Sequence, residues 1–141
     1  MSFELHAQLA KDTIVIGDLP LCRLLLMNDA QYPWCILVPR VEGAREAYEL
    51  DPEAQGQLMR ESAIVGKTLM TLFDGHKLNV AALGNMVPQL HLHHIVRFPT
   101  DAAWPKPVWG VSPAQPYSEQ DAQALKQKIH AALSPLIAIT G

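Results

Sequence analysis

The order of apolar and polar positions divides the chain into short strands and two longer helices. Thr13-Ile14-Val15-Ile16 is a β-rich run that closes at Gly17-Asp18, a turn signal. Leu21 to Met27 is a second apolar run, ending at Asn28-Asp29, and the two runs predict a hairpin. Trp34-Cys35-Ile36-Leu37-Val38 is apolar throughout and is stopped by Pro39. An unbroken apolar run of this length predicts a central strand covered on both faces. From about Pro52 to Phe73 the period becomes helical, with Leu58, Val65, Leu69 and Leu72 forming one stripe. Asp51 suits the N-cap, Pro52 the first helical position and Glu53 the positive end of the dipole. Gly75 is the expected C-terminal cap. Lys77 to Leu83 then reads as a strand, Gly84-Asn85 as a turn and Leu90 to Val96 as another strand. A last helix is expected from Ser118, with Asp121 at the capping-box position and a stripe of Ala122, Leu125, Ile129 and Leu133.

Between the last strand and that helix runs Phe98-Pro99-Thr100-Asp101-Ala102-Ala103-Trp104-Pro105-Lys106-Pro107-Val108-Trp109-Gly110. Its prolines remove main-chain donors, so it is not regular structure throughout. It reads either as a packed connection or as a rigid aromatic loop draped over a surface or a partner. No repeat, low-complexity tract or long linker divides the chain. A single domain over 1–141 is expected, with a core at about 10–110 and the loop and C-terminal helix at 98–141.

Composition agrees with one globular domain. The 141 residues are 49% hydrophobic and 18% charged, enough to bury a core. The net charge is −3 and no extended basic run occurs, which argues against a nucleic-acid groove built on phosphate neutralisation. A small nucleotide needs only a few donors and stays open. Cys22 and Cys35 lie in apolar stretches and are expected to be buried, reduced thiols. The N-terminal residues lack the basic and apolar regions of a signal peptide. No apolar run approaches the roughly 20 residues that span a bilayer. The expectation is a cytoplasmic protein without a membrane partner.

Candidate chemistry concentrates in Gln89-Leu90-His91-Leu92-His93-His94, where three of the six histidines fall together. A strand has a side-chain period of 2, so Gln89, His91 and His93 share one side and Leu90, Leu92 and Val96 the other. His94 points opposite to His91 and His93 and reads as a structural histidine. Imidazole is readily tuned near neutral pH, which suits nucleophilic, acid–base or metal chemistry. The metal reading needs a third ligand, which only His6, His76, His130 or Asp101 could bring by tertiary placement, and Arg97 is a poor neighbour for a cation. No metal ligand set is read from the sequence. Histidines held only by structural hydrogen bonds are the remaining alternative.

The nucleophile reading gains from a family resemblance. Leu78-Asn79-Val80-Ala81-Ala82-Leu83-Gly84-Asn85, followed by Gln89-Leu90-His91-Leu92-His93, resembles the histidine triad (HIT) family, whose signature is His-φ-His-φ-His-φ-φ with φ apolar. Leu24-Leu25-Leu26-Met27-Asn28 is similar to the family's strand that ends in a nucleotide-contacting polar residue. Ile36-Leu37-Val38-Pro39-Arg40 resembles its φ-φ-φ-Pro-basic segment before the long helix. The likeness covers roughly residues 10–110, and the Trp-Pro-x-Pro-Val-Trp-Gly stretch is similar to a bacterial subgroup with Gln-φ-His-φ-His.

The resemblance implies an α+β fold: about five strands in a mainly antiparallel sheet, with a long helix and a C-terminal helix, forming a homodimer. It implies a nucleotide phosphohydrolase or nucleotidyl transferase. The substrates it suggests are purine nucleotides, with dinucleoside polyphosphates first and nucleoside phosphoramidates second. On this reading His91 attacks an α-phosphate to form a nucleotidyl-histidine. His93 touches phosphate oxygens or assists the leaving group, and Gln89 supports. Asn28 contacts the sugar and Asn85 helps to bind phosphate. No cofactor is expected. Three departures stand out: Gln89 replaces a histidine, the loop Asn85-Met86-Val87-Pro88 is short and lacks the usual glycines, and Trp34 replaces a histidine common before the third strand. A nucleotide-binding or sensing module with little catalysis is the alternative they suggest.

Overall fold

The structure, a computed structural model, describes residues 3–141. Three helices and five strands follow in the order α1 (Ala7–Asp12), β1 (Thr13–Asp18), β2 (Cys22–Met27), β3 (Trp34–Pro39), α2 (Pro52–Phe73), β4 (Lys77–Ala81), β5 (Leu92–Arg97) and α3 (Glu119–Leu133). The strands form one antiparallel sheet in the order β1-β2-β3-β5-β4. This is the α+β architecture expected from the sequence. The β1–β2 hairpin forms with a bulge between Val15 and Gly17. As its apolar run requires, β3 lies at the centre and every residue of it is buried.

Alternation sorts the side chains into two clusters. One face carries Leu24, Leu26, Cys35, Leu37, Leu92 and Val96 against Leu58, Val65 and Leu69 of α2 and Ile129 and Leu133 of α3. The opposite face carries Leu25, Trp34, Ile36, Val38 and Ile95. It is covered by Leu9 of α1, Val87, and Ala103 and Val108 of the proline-rich loop, with Phe3 and Leu5 at the edge. That loop therefore packs over its own sheet. Cys22 and Cys35 are free and buried.

Local chemistry sets the helix ends. Asp51 accepts from the Ala54 N–H with Pro52 in the first turn. Ser118 accepts from the Asp121 N–H and starts α3. At the end of α2 the left-handed residue is Asp74 (φ 51°), not Gly75. Gly75 is needed for space instead: a Cβ there would lie 2.5 Å from Val96 and 2.7 Å from Met70. Edge strand β4 stops at Ala81, short of Leu83, and the β5 ladder starts at Leu92, so Leu90 and His91 precede it. The short helix α1 and a 3-10 turn over Ala47–Glu49 have no clear sequence signal. Among the described residues no helix is long and apolar enough to cross a membrane.

Candidate active site

His91 and His93 project on the face away from α2. Their ring centroids are 5.0 Å apart and their planes meet at 71°. Each side chain is nearly enclosed, at 6% exposure. His93 sits opposite Ile36 on β3, and His91 stands one step before the ladder begins.

The hydrogen bonds of the two rings differ in kind. His91 Nδ1 lies 2.6 Å from the main-chain carbonyl oxygen of Gln89. A carbonyl only accepts, so Nδ1 carries a proton, and in the neutral ring the lone pair is on Nε2. His93 Nδ1 lies 3.0 Å from the indole Nε1 of Trp34. An indole N–H only donates, so here Nδ1 holds the lone pair and the proton of the neutral ring is on Nε2. Two adjacent imidazoles thus present opposite faces of the same chemistry, a lone pair on one and an N–H on the other. Burial, together with neighbouring His91 and His94, pushes His93 down to about 3, so the ring is neutral at pH 7.

Sheet register makes the Trp34–His93 bond. Trp34 pairs with Ile95, which puts its side chain diagonally beside His93 on the same face. Trp109 completes the enclosure from the proline-rich loop, edge-on to His93 at 5.1 Å and to Trp34 at 5.8 Å. Trp109 as a wall and Trp34 as a donor were not assigned roles from sequence. The available signals were the aromatic pair in a rigid loop and a tryptophan opening the central strand.

His94 occupies the other face, as its position predicts. Its Nδ1 faces the Leu92 carbonyl at 3.1 Å, so its Nε2 accepts from the Ser62 hydroxyl of α2 at 2.7 Å. Burial lowers this ring to about 4 although the Leu92 bond acts in the other direction.

Gln89 has a divided role. Its main chain serves His91, while its side chain accepts from the His6 N–H at 2.8 Å and donates to the Glu4 carbonyl at 2.9 Å. The amide that stands in for a histidine thus ties the N-terminal segment to the histidine strand. Asn28 lies past the end of β2, and its Oδ1 accepts from the Tyr117 N–H at 2.9 Å. It is three residues along from Leu25, which is level with Ile36 and His93, or about 10 Å at strand spacing. Asn28 is therefore not beside the imidazoles. Asn85 is exposed in the turn between β4 and β5. Among the described residues, no group of three His, Cys, Asp or Glu side chains is arranged to hold a metal ion.

Known proteins share this fold. The chain is similar to a histidine triad protein from Marinobacter aquaeolei VT8, with 54% identity over 96% of this chain and 99% of that one, at a TM-score of 0.93. A histidine triad protein from Bradyrhizobium japonicum is 46% identical over 98% and 100% of the two chains, with a TM-score of 0.89. A third, from Sinorhizobium meliloti 1021, is 41% identical over 93% and 97%, with a TM-score of 0.91. No curated protein matches the chain. The HIT domain profile matches residues 8–100. With that match, those relatives and the paired imidazoles of the His91–His93 strand, the chain belongs to the histidine triad family, which includes nucleotide-binding proteins, hydrolases and transferases.

Proposed function

We propose that the protein is a nucleotide phosphohydrolase or nucleotidyl transferase that works through a nucleotidyl-histidine on His91. The observation that carries this reading is the His91 Nδ1 to Gln89 carbonyl bond, which leaves Nε2 as a nucleophile beside the His93 N–H. The Nε2 lone pair forms a bond to the α-phosphorus. The bond from phosphorus to the leaving group breaks, and its electron pair departs with that group, which takes a proton from solvent. The resulting imidazolium keeps its Nδ1–H on the Gln89 carbonyl, which eases its positive charge. Water then attacks phosphorus and gives up a proton to solvent, the P–N bond breaks, and its electrons return to Nε2. His93 donates to a phosphoryl oxygen as charge builds there.

Purine dinucleoside polyphosphates are the first substrates to try and nucleoside phosphoramidates the second. Asn28 reaches the sugar through its Nδ2, since its Oδ1 is taken by Tyr117. Asn85 and main-chain N–H groups of its turn meet the phosphates. Gln89 supports the nucleophile through its carbonyl. The protein acts in the cytoplasm as a homodimer that joins at the open β4 edge, where Val80 is 48% exposed.

Intact-protein mass after brief incubation with diadenosine tetraphosphate or adenosine phosphoramidate, quenched in base, tests the reading. A nucleotidyl adduct absent from His91→Ala supports it. No adduct and no product with either substrate overturns it and leaves the nucleotide-binding module. That second reading draws on the Gln89 amide, which is spent on the N-terminal segment rather than on a ligand.

A further inference from the structure

We infer that Trp34 is a positioning residue that commits His93 to act as a neutral N–H donor to a phosphoryl oxygen. This deepens the proposed function and rests on its reading of the site.

The geometry leaves His93 one arrangement. Trp34 Nε1–H points at His93 Nδ1 from 3.0 Å, and the indole has no acceptor to offer. Were His93 an imidazolium, two N–H groups would face each other across that distance. Were it the other neutral tautomer, the same clash would arise. Only the Nε2–H form satisfies the bond. Among the described residues no acceptor meets His93 Nε2, and that atom is not sealed away from solvent. Its N–H is therefore free for a ligand.

The surroundings keep the ring in that state. The titratable groups nearest to it are His91 beside it and His94 next in sequence, on the other face. Neither His91 nor His94 is hydrogen-bonded to a carboxylate among the described residues; their partners are main-chain carbonyls and Ser62. Trp34 itself is held by burial, by Tyr32 at 6.3 Å and by Trp109 at 5.8 Å, all edge-on. An enclosed donor fixed from behind needs little reorganisation when charge develops on phosphate. The arrangement also divides the work: His91 supplies the lone pair, His93 supplies a hydrogen bond, and no proton leaves either ring during attack.

Nitrogen-15 NMR of the histidine rings tests this directly. In the wild-type protein His93 is expected with Nδ1 bare and Nε2 protonated across neutral pH. Adding AMP is expected to move the His93 Nε2–H resonance downfield as it meets phosphate. In Trp34→Phe, which keeps an aromatic ring but removes the N–H, both tautomers are expected. Turnover should then fall at least about 10-fold with KM changed less, short of the roughly 100- to 1,000-fold expected for loss of the donor itself. A protonated Nδ1 in the wild type, an unchanged tautomer in Trp34→Phe, or no response of Nε2–H to AMP each overturns the inference. The wild-type measurements stand even where Trp34→Phe folds poorly. The covalent reading fails separately, on the absence of a His91 adduct.

Discussion

Arg97 and Asp101 meet in a bidentate pair, Nε to Oδ2 at 2.8 Å and Nη2 to Oδ1 at 3.0 Å, with side chains only 2% and 4% exposed. The carboxylate also accepts from the main-chain N–H groups of Phe98, Ala103 and Trp104. The guanidinium donates to Asn79 and lies 5.6 Å from the Trp104 ring. One acid thus organises the proline-rich loop at its root. Although burial acts the other way, bonds from Arg97, Phe98 and Trp104 hold Asp101 down to about 2.

Replacing Asp101 by Ala leaves the Arg97 charge buried without its partner. A loss of about 3–5 kcal/mol is expected from breaking a buried pair. The Trp109 edge should come away from His93 as the loop loosens. Urea unfolding reads the first effect and tryptophan fluorescence the second. A loss below about 1 kcal/mol would mean that the loop is held by its apolar contacts alone.

Ser62→Ala removes the hydroxyl that His94 Nε2 accepts from in the core. An unsatisfied buried acceptor costs about 1–3 kcal/mol. His91 and His93 lie on the other face, so adduct formation on His91 should persist in the folded variant. Thermal unfolding and the intact-mass assay on the same sample check both halves.

Acid should destabilise this fold through its histidines. His93 and His94 sit at about 3 and about 4, below the ordinary 6.5. Between those values the unfolded chain binds protons that the folded chain refuses, so stability rises with pH. Their contribution is complete above about pH 6.5 and is lost as pH falls from there toward about 3. Each ring contributes a slope of up to about 1.4 kcal/mol per pH unit inside its window. Urea midpoints between pH 7.5 and 4.5 measure this, and a flat profile would contradict it.

Gln89→Ala cuts both amide bonds to the N-terminal segment. The His6 N–H, which donates to Gln89 Oε1, is expected to lose its protection from hydrogen exchange. The His91 Nδ1 bond goes to a main-chain carbonyl and survives the change. His6 exchange should therefore rise while His91 remains reactive. Unchanged exchange at His6 would show that other contacts hold the segment.

Much of the framework was legible because its signals are local. The run from Trp34 to Val38 is buried throughout, and Asp51 and Pro52 start α2 as their residue types require. The His91–His93 pairing and the opposite orientation of His94 followed from a period of 2. The sequence was silent where the outcome depends on register or on distant chain. Trp34 reaches His93 only because Trp34 is paired with Ile95 across β3 and β5. The Gln89 side chain looked like a ligand-facing group, yet its partners Glu4 and His6 lie more than eighty residues away. Gly75 carried a cap signal, but the tight approach of Val96 and Met70 is a tertiary demand. Asn28 kept its place at the end of β2, and only the fold shows that Tyr117 comes to meet it.

His93 and His94 are covalent neighbours that are gripped from opposite sides, one by Trp34 of β3 and the other by Ser62 of α2. Gly66 seats that helix close to the sheet, where an added Cβ would lie 2.6 Å from Leu78. Mechanically, α2 is a strut bolted to the strand at His94, behind the His91 and His93 rings. A slide of the helix by one turn, about 5.4 Å, would shear the Ser62 bolt or drag the histidines with it. The paired rings of His91 and His93 therefore stand on a strand that is held from both of its faces.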